Sequence, residues 1–174
     1  MRYVIVSVVK GDAGNFNNNL RKEVFEKFHA KSSKLPAHFT IKAPFECENT
    51  DYMDNIIENF CKKHKKALYN IKGYDHFDDR VIFMKVNMSK EGKILHDELI
   101  DELDKVSYIN FDKHDGKNKI FHVTITSKKI QKIFYDIWDY VSYIPCEFDC
   151  ELDNISVYKW ENNTWVLHKE FLLS

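Results

Sequence analysis

From Tyr3 to Val9 the chain is apolar except at Ser7, which is too short a run for a membrane span and the right length for a buried first strand. Gly11 and Gly14 interrupt it. From Asn15 onward Phe16, Leu20, Val24, Phe25 and Phe28 recur at helical spacing and predict a helix of three to four turns. A polar loop, Lys31 to Lys34, leads to Pro36, which disfavours helix at the residue before it, so the next segment starts extended. That segment, His38-Phe39-Thr40-Ile41, alternates polar and apolar as a half-buried strand does, and Pro44 ends or interrupts it. Met53, Ile56, Ile57, Phe60 and Cys61 predict a second helix, closed by Lys62 to Lys66.

The second half reads in the same way. Leu68 to Tyr74 and Val81 to Val86 form a predicted hairpin about Asp78-Asp79-Arg80, and Leu95, Leu99, Leu103 and Val106 mark a third helix from about Lys90 to Val106. Asp112 to Asn118 holds Gly116 and little that could pack, which predicts an exposed loop. It delivers the chain into His122-Val123-Thr124-Ile125, a second alternating strand. Ile130, Ile133, Phe134, Ile137, Trp138 and Val141 give a fourth helix. Pro145 precedes three strands: Cys146 to Leu152, Ile155 to Trp160 and Trp165 to Leu173, with a hairpin turn at Asn162-Asn163. Each His-x-Thr strand is followed by a helix and then by strands, as in a duplicated α+β unit sharing one cleft.

The repeated triplet carries the chemistry. With 8 His and 5 Thr in 174 residues about 0.2 His-x-Thr triplets are expected, and two occur, both with apolar residues at the intervening and following positions. On a strand each His and its Thr share one face. Two imidazoles in one cleft can take and give a proton in one turnover near neutral pH, which suits displacement at phosphorus. Thr40 and Thr124, stiff at χ1, can hold hydroxyl donors beside the rings for the phosphoryl oxygens. Lys42, one step further on the same strand, is a candidate to compensate phosphate charge; its counterpart in the second strand is Thr126. Phe45 is a candidate platform for a nucleobase.

Composition narrows the classes. Near-balanced charge, 26 Lys+Arg against 27 Asp+Glu, argues against a protein that coats nucleic acid by a basic face. Cys47, Cys61, Cys146 and Cys150 show no disulfide framework, and a chain of this size does not need one, so a cytoplasmic location is expected. The N-terminus lacks a signal-peptide cleavage site. Metal ligation is disfavoured: on a strand Cys146 and Cys150 stand too far apart for one zinc, and Cys61 of the Cys61/His64 pair falls on an apolar stripe. Lys62 to Lys66 complement a helix C-terminus. His64, His76, His96 and His168 are expected at the solvated surface, with His114 placed in the loop before the second motif.

The two H-x-T segments, and above all Leu35-Pro36-Ala37-His38-Phe39-Thr40-Ile41-Lys42-Ala43-Pro44-Phe45, resemble the signature of the 2H phosphoesterase superfamily, which holds the 2′-5′ RNA ligase-like proteins and cyclic phosphodiesterases. The resemblance implies an α+β fold over residues 1–174, one domain of two intertwined lobes with a pseudo-twofold axis, two antiparallel sheets lining a central cleft and helices outside. It implies His38 and His122 as the acid/base pair, Thr40 and Thr124 as phosphate contacts, and no metal or other cofactor. The expected partner is a nucleotide or RNA end bearing a cyclic phosphodiester or 2′-5′ linkage, with no membrane, acted on by a monomer. The alternative is a module that binds nucleotide or RNA in the same cleft without turnover. The second motif departs from a common family form: no proline lies just before His122 and no basic residue directly follows, so Lys128 or Lys129 is the substitute for a second phosphate contact.

Overall fold

In a computed structural model that describes residues 1–174, the chain forms eight strands and four helices in the order β1 (Arg2–Val8), α1 (Gly11–Phe28), β2 (His38–Glu46), α2 (Asp51–Lys63), β3 (Ala67–Phe77), β4 (Val81–Met88), α3 (Lys90–Leu103), β5 (His122–Thr126), α4 (Phe134–Ser142), β6 (Glu147–Leu152), β7 (Asn154–Glu161) and β8 (Thr164–Leu172). The strands make two antiparallel four-stranded sheets, ordered β2-β1-β7-β8 and β5-β4-β3-β6. Both His-x-Thr strands are therefore edge strands. Each belongs to a strand–helix–strand unit, β1-α1-β2 or β4-α3-β5, in which the helix joins two antiparallel neighbours.

The duplication does not divide the chain into two separate halves. The hairpin β3–β4, which follows β2 and α2, lies in the other sheet, and β7–β8 return to the first. Helix α1 likewise lies against β5 and β6, across from the strands that flank it in sequence, while α2 packs on β8 and α3. The main core follows this interleaving: its 38 buried residues come from both sheets and all four helices. Burial of this extent supplies the main stabilisation and fixes the two edge strands relative to each other.

Three features differ from the sequence expectation, each for a local reason. Helix α1 begins at Gly11, whose φ of 65° favours glycine, and includes Gly14, where a Cβ would sit 2.2 Å from the Val9 carbonyl oxygen. The two glycines open this helix at close range to β1, where the pattern suggested a break. Helix α3 stops at Leu103, and Val106 is buried by turns beyond it. The polar stretch 112–118 is not wholly exposed: Asp115 and Gly116 are buried where the loop folds onto β2. Asn162 and Asn163, both at positive φ, close the last hairpin as expected of a type I′ turn. All four cysteines are free. No helix is long and apolar enough to cross a membrane.

Candidate active site

Edge strands β2 and β5 approach within 8 Å of each other between the two sheets. Along β2, half-buried His38 and Thr40 alternate with buried Phe39 and Ile41; along β5, half-buried His122 and Thr124 alternate with buried Val123 and Ile125. The apolar sides anchor the strands, with Phe39 edge-on to Phe121, the residue before His122, at 5.4 Å between ring centroids. The polar sides share the cleft. The charge of His122 is close enough to depress protonation of His38.

Both imidazoles are held alike. His38 Nδ1 lies 2.7 Å from the Pro36 carbonyl oxygen, and His122 Nδ1 lies 2.8 Å from that of Ile120. A carbonyl only accepts, so Nδ1 carries hydrogen in each ring and Nε2 is the nitrogen that titrates. Burial pushes the His38 pKa down to about 4, helped by the Arg21 guanidinium and by His122, and opposed by the Pro36 hydrogen bond. His122 is lowered too, first by burial and then by Lys119. Phe77 and Phe83 wall its ring at centroid distances of 5.0 and 5.2 Å. Both rings therefore favour the neutral form at pH 7, and a phosphate anion beside them would favour their protonated forms.

The symmetry extends to the backbone. In each motif strand a register shift falls at the isoleucine that follows the threonine, between the pairs Ile5–Lys42 and Val6–Thr40 in β2, and between Ile82–Thr126 and Phe83–Thr124 in β5. Such a bulge breaks alternation. The next residue, Lys42 or Thr126, is consequently buried rather than continuing the His/Thr face. Each ties its strand to the loop that leads into the other motif: Lys42 Nζ donates to Asp115 Oδ2 at 2.8 Å, and the Thr126 hydroxyl donates to the Lys31 carbonyl at 2.9 Å.

Side chains from across the cleft also reach the threonine carbonyls. Lys119 Nζ donates to the carbonyl oxygens of Thr40 at 2.5 Å and Ile41 at 2.9 Å, and burial lowers its pKa to about 8. Asn17 Nδ2, on the buried face of α1, donates to the Thr124 carbonyl at 3.2 Å. Its neighbour Asn18 accepts from the Ala37 amide through Oδ1 at 3.2 Å, one residue before His38. Arg21 holds the carbonyls of Ser33 and Leu35 at 2.8 and 2.9 Å. Edge strands leave backbone groups without a ladder partner, and these residues satisfy several of them. The sequence offered one signal for this: Asn17 falls in the apolar stripe of α1 with Ala13, Leu20 and Val24, where a polar residue needs a partner.

Of the residues singled out from sequence, Thr40 and His122 line one cavity, His38 lies near enough to His122 to feel its charge, and Thr124 shares the half-buried face of β5 with His122. A cavity of about 250 Å³ between the lobes is lined by Thr40 and His122, one residue from each motif, together with His114 and Lys119. Larger hollows lie elsewhere, so size does not mark this site. Two candidates fall away. Lys42 is paired with Asp115, both nearly inaccessible, so its charge is already compensated and the bulge has turned it off the His face. Phe45 is 9% exposed and stacked on Tyr108 in the core, where no base can reach its face. His76 and His114 are exposed as expected, while His64, His96 and His168 are less solvated. His96 is 2% exposed, His64 pairs with Glu98 and His168 with Asp54, and His76 rests edge-on against Phe134 and Trp138. No cluster of three or more His, Cys, Asp or Glu is arranged to hold a metal ion.

Paired His-x-Thr edge strands facing each other across two interleaved antiparallel sheets define a two-lobed α+β protein of the phosphoesterase type. Residues 15–164 match the sequence profile of the 2′-5′ RNA ligase superfamily, and the chain belongs to that family. No curated protein matches it. Among solved structures, TT0787 of Thermus thermophilus shares 10% identity over 99% of this chain and 98% of its own, with a TM-score of 0.65. E. coli LigT complexed with 3′-AMP gives the same identity, coverage and TM-score. The structure of Kluyveromyces marxianus Usb1 covers 95% of this chain and 96% of its own at 9% identity and a TM-score of 0.50. At these identities the likeness is one of fold.

Proposed function

We propose that the protein is a metal-independent phosphoesterase that opens a cyclic phosphodiester, a 2′,3′-cyclic nucleotide or RNA end, by two-histidine acid/base catalysis; action on a 2′-5′ RNA linkage is the same chemistry on an open diester. The observation that carries this reading is the matched setting of the two rings, each with Nδ1 fixed on a carbonyl two residues back and each beside a threonine hydroxyl. A pure binding module gains nothing from two proton-transfer groups held in the same tautomer. The complex of E. coli LigT with 3′-AMP is consistent with a nucleotide in such a cleft.

The reaction divides between the rings. His38, the more strongly depressed, takes the proton of an attacking water through Nε2. His122, protonated when the anionic substrate is bound, gives a proton to the departing ribose oxygen. One bond forms between water oxygen and phosphorus, one bond from phosphorus to ribose oxygen breaks, and the products are a phosphomonoester and a ribose hydroxyl. Thr40 and Thr124 donate hydroxyl hydrogen bonds to the phosphoryl oxygens as charge builds on them. The test is hydrolysis of 2′,3′-cyclic mononucleotides in the presence of chelator. Turnover that chelator leaves intact supports the reading, and binding without turnover by the wild type contradicts it.

A further inference from the structure

Free positive charge near the cleft is concentrated at one end. At the end of Thr40 and His122, the lysines are occupied: Lys42 by Asp115, and Lys119 by two backbone carbonyls. At the opposite end, a cavity of about 400 Å³ between α1 and the loops that precede β2 and follow β5 is lined by Arg21, Lys22, Lys31, Lys34 and Lys128, and by no carboxylate. In a chain of formal net charge −1, three lysine side chains on this wall, those of Lys22, Lys31 and Lys128, have no hydrogen-bond or ion-pair partner and no acid among them, whereas Arg21 is held on the Ser33 and Leu35 carbonyls and Lys34 on that of Asn163. Lys22, Lys31, Lys34 and Lys128 are exposed. The same wall carries Phe25, 46% exposed and edge-on to His29.

This cavity adjoins the catalytic strand. Asn18, which lines it, holds the amide of Ala37, and the Arg21 charge reaches His38. Lys31 and Lys128 are joined by a β-bridge that ties the two motif-flanking loops together. A cationic track with an aromatic face on it is what single-stranded nucleic acid requires: phosphates meet the ammonium groups and a base stacks on the ring. A 2′,3′-cyclic end has chain on its 5′ side only, and that chain must leave the cleft in one direction.

We propose that the Lys22/Lys31/Lys128 wall with Phe25 is a subsite for single-stranded RNA 5′ to the reacting nucleotide, so the preferred substrate is an oligonucleotide end rather than a free mononucleotide. The inference rests on the phosphoesterase reading and adds the substrate class. Lys128 then supplies the phosphate contact that the second motif lacks.

The test has two arms. In the first, binding of a labelled RNA tetramer ending in 3′-phosphate, which is not consumed, is followed by fluorescence anisotropy across salt concentrations for wild type, Lys22→Ala/Lys31→Ala and Phe25→Ala. We expect the lysine pair to weaken binding roughly 2- to 30-fold and to reduce the salt slope by about 0.7 per cation removed. Phe25→Ala weakens it roughly 5- to 100-fold with the slope unchanged. In the second arm, kcat/KM for a cyclic-ended tetramer falls in parallel, while that for 2′,3′-cyclic mononucleotide stays within about two-fold of wild type. Wild-type tetramer binding by the variants, or equal losses on tetramer and mononucleotide, overturns the subsite. If the wild type hydrolyses neither substrate, the phosphoesterase reading fails and the binding arm alone decides the subsite. All three side chains are exposed, and circular dichroism verifies that the variants fold.

Discussion

The buried pair Lys42–Asp115 links the loop that delivers His122 to the strand that carries His38, and removing one partner has a cost that can be worked from the structure. Their side chains are 8% and 6% exposed and the contact is 2.8 Å. Asp115→Asn keeps an oxygen for the Ala43 amide, now accepted at 3.2 Å by the carboxylate, but leaves the Lys42 ammonium without its anion. A buried charge left alone costs about 3–5 kcal/mol. With an m-value of about 2 kcal/mol per molar urea, the unfolding midpoint falls by roughly 2 M. Replacing both, Lys42→Met with Asp115→Asn, removes the charge itself and returns stability to within about 1 kcal/mol of wild type, so the double variant is more stable than Asp115→Asn alone and the losses in the cycle are far from additive. Because the bulge turns Lys42 off the His/Thr face and onto Asp115, the double variant is expected to keep kcat on a cyclic nucleotide within a few-fold. Urea titration and steady-state kinetics on the four proteins decide it. Additive stability losses would refute the ion-pair lock. A folded double variant with turnover down a hundred-fold would return Lys42 to the phosphate.

Further outcomes follow from the same geometry. For two histidines lowered to about 4 and to below the ordinary 6.5, kcat/KM is greatest on the acid side of 6.5 and falls as pH rises through the His122 pKa; a profile that peaks above pH 7.5 would contradict acid/base use of these two rings. Buried His96, pushed down to about 4 by burial against the opposing pull of Asp97, stays neutral while the unfolded chain takes up a proton below about 6.5. Its share of stability is therefore complete above pH 6.5 and drains as pH falls toward 4, by about 2 kcal/mol between pH 7 and pH 5. Urea midpoints of His96→Leu should decline correspondingly less over that range, and an unchanged decline would be against it. Asn17→Leu leaves the Thr124 carbonyl without its donor, for a stability loss of about 1–3 kcal/mol and a fall in kcat larger than any change in KM. A change in KM alone would show that Asn17 does not position the strand.

What could be read from the sequence was what depends on local periodicity. His38-Phe39-Thr40-Ile41 and His122-Val123-Thr124-Ile125 declared both strands and the face each residue takes, because alternation is a property of a few consecutive residues. The four helices followed from their apolar spacing. What escaped was set by contacts between distant segments. The bulges at Ile41 and Ile125 turn Lys42 and Thr126 away from the expected face, and nothing within either strand announces them. Asp115 looked like one more polar loop residue until β2 supplied Lys42 and the Ala43 amide. Phe45 read equally well as a platform or as core, and packing on Tyr3 and Tyr108 decided it. The repeated order of elements pointed to a duplicated unit, and the intertwining of the lobes came from the family resemblance and not from periodicity; strand pairing places β3–β4 and β7–β8 in opposite sheets.

The most direct measurement is the rate of 2′,3′-cyclic nucleotide hydrolysis, with chelator present, by wild type, His38→Ala and His122→Ala. Loss of a general acid or base lowers turnover by about 10²–10⁴, so each single variant should fall by that much while still binding the nucleoside monophosphate product. Turnover by both variants within a few-fold of wild type would show that the two imidazoles do not carry the chemistry.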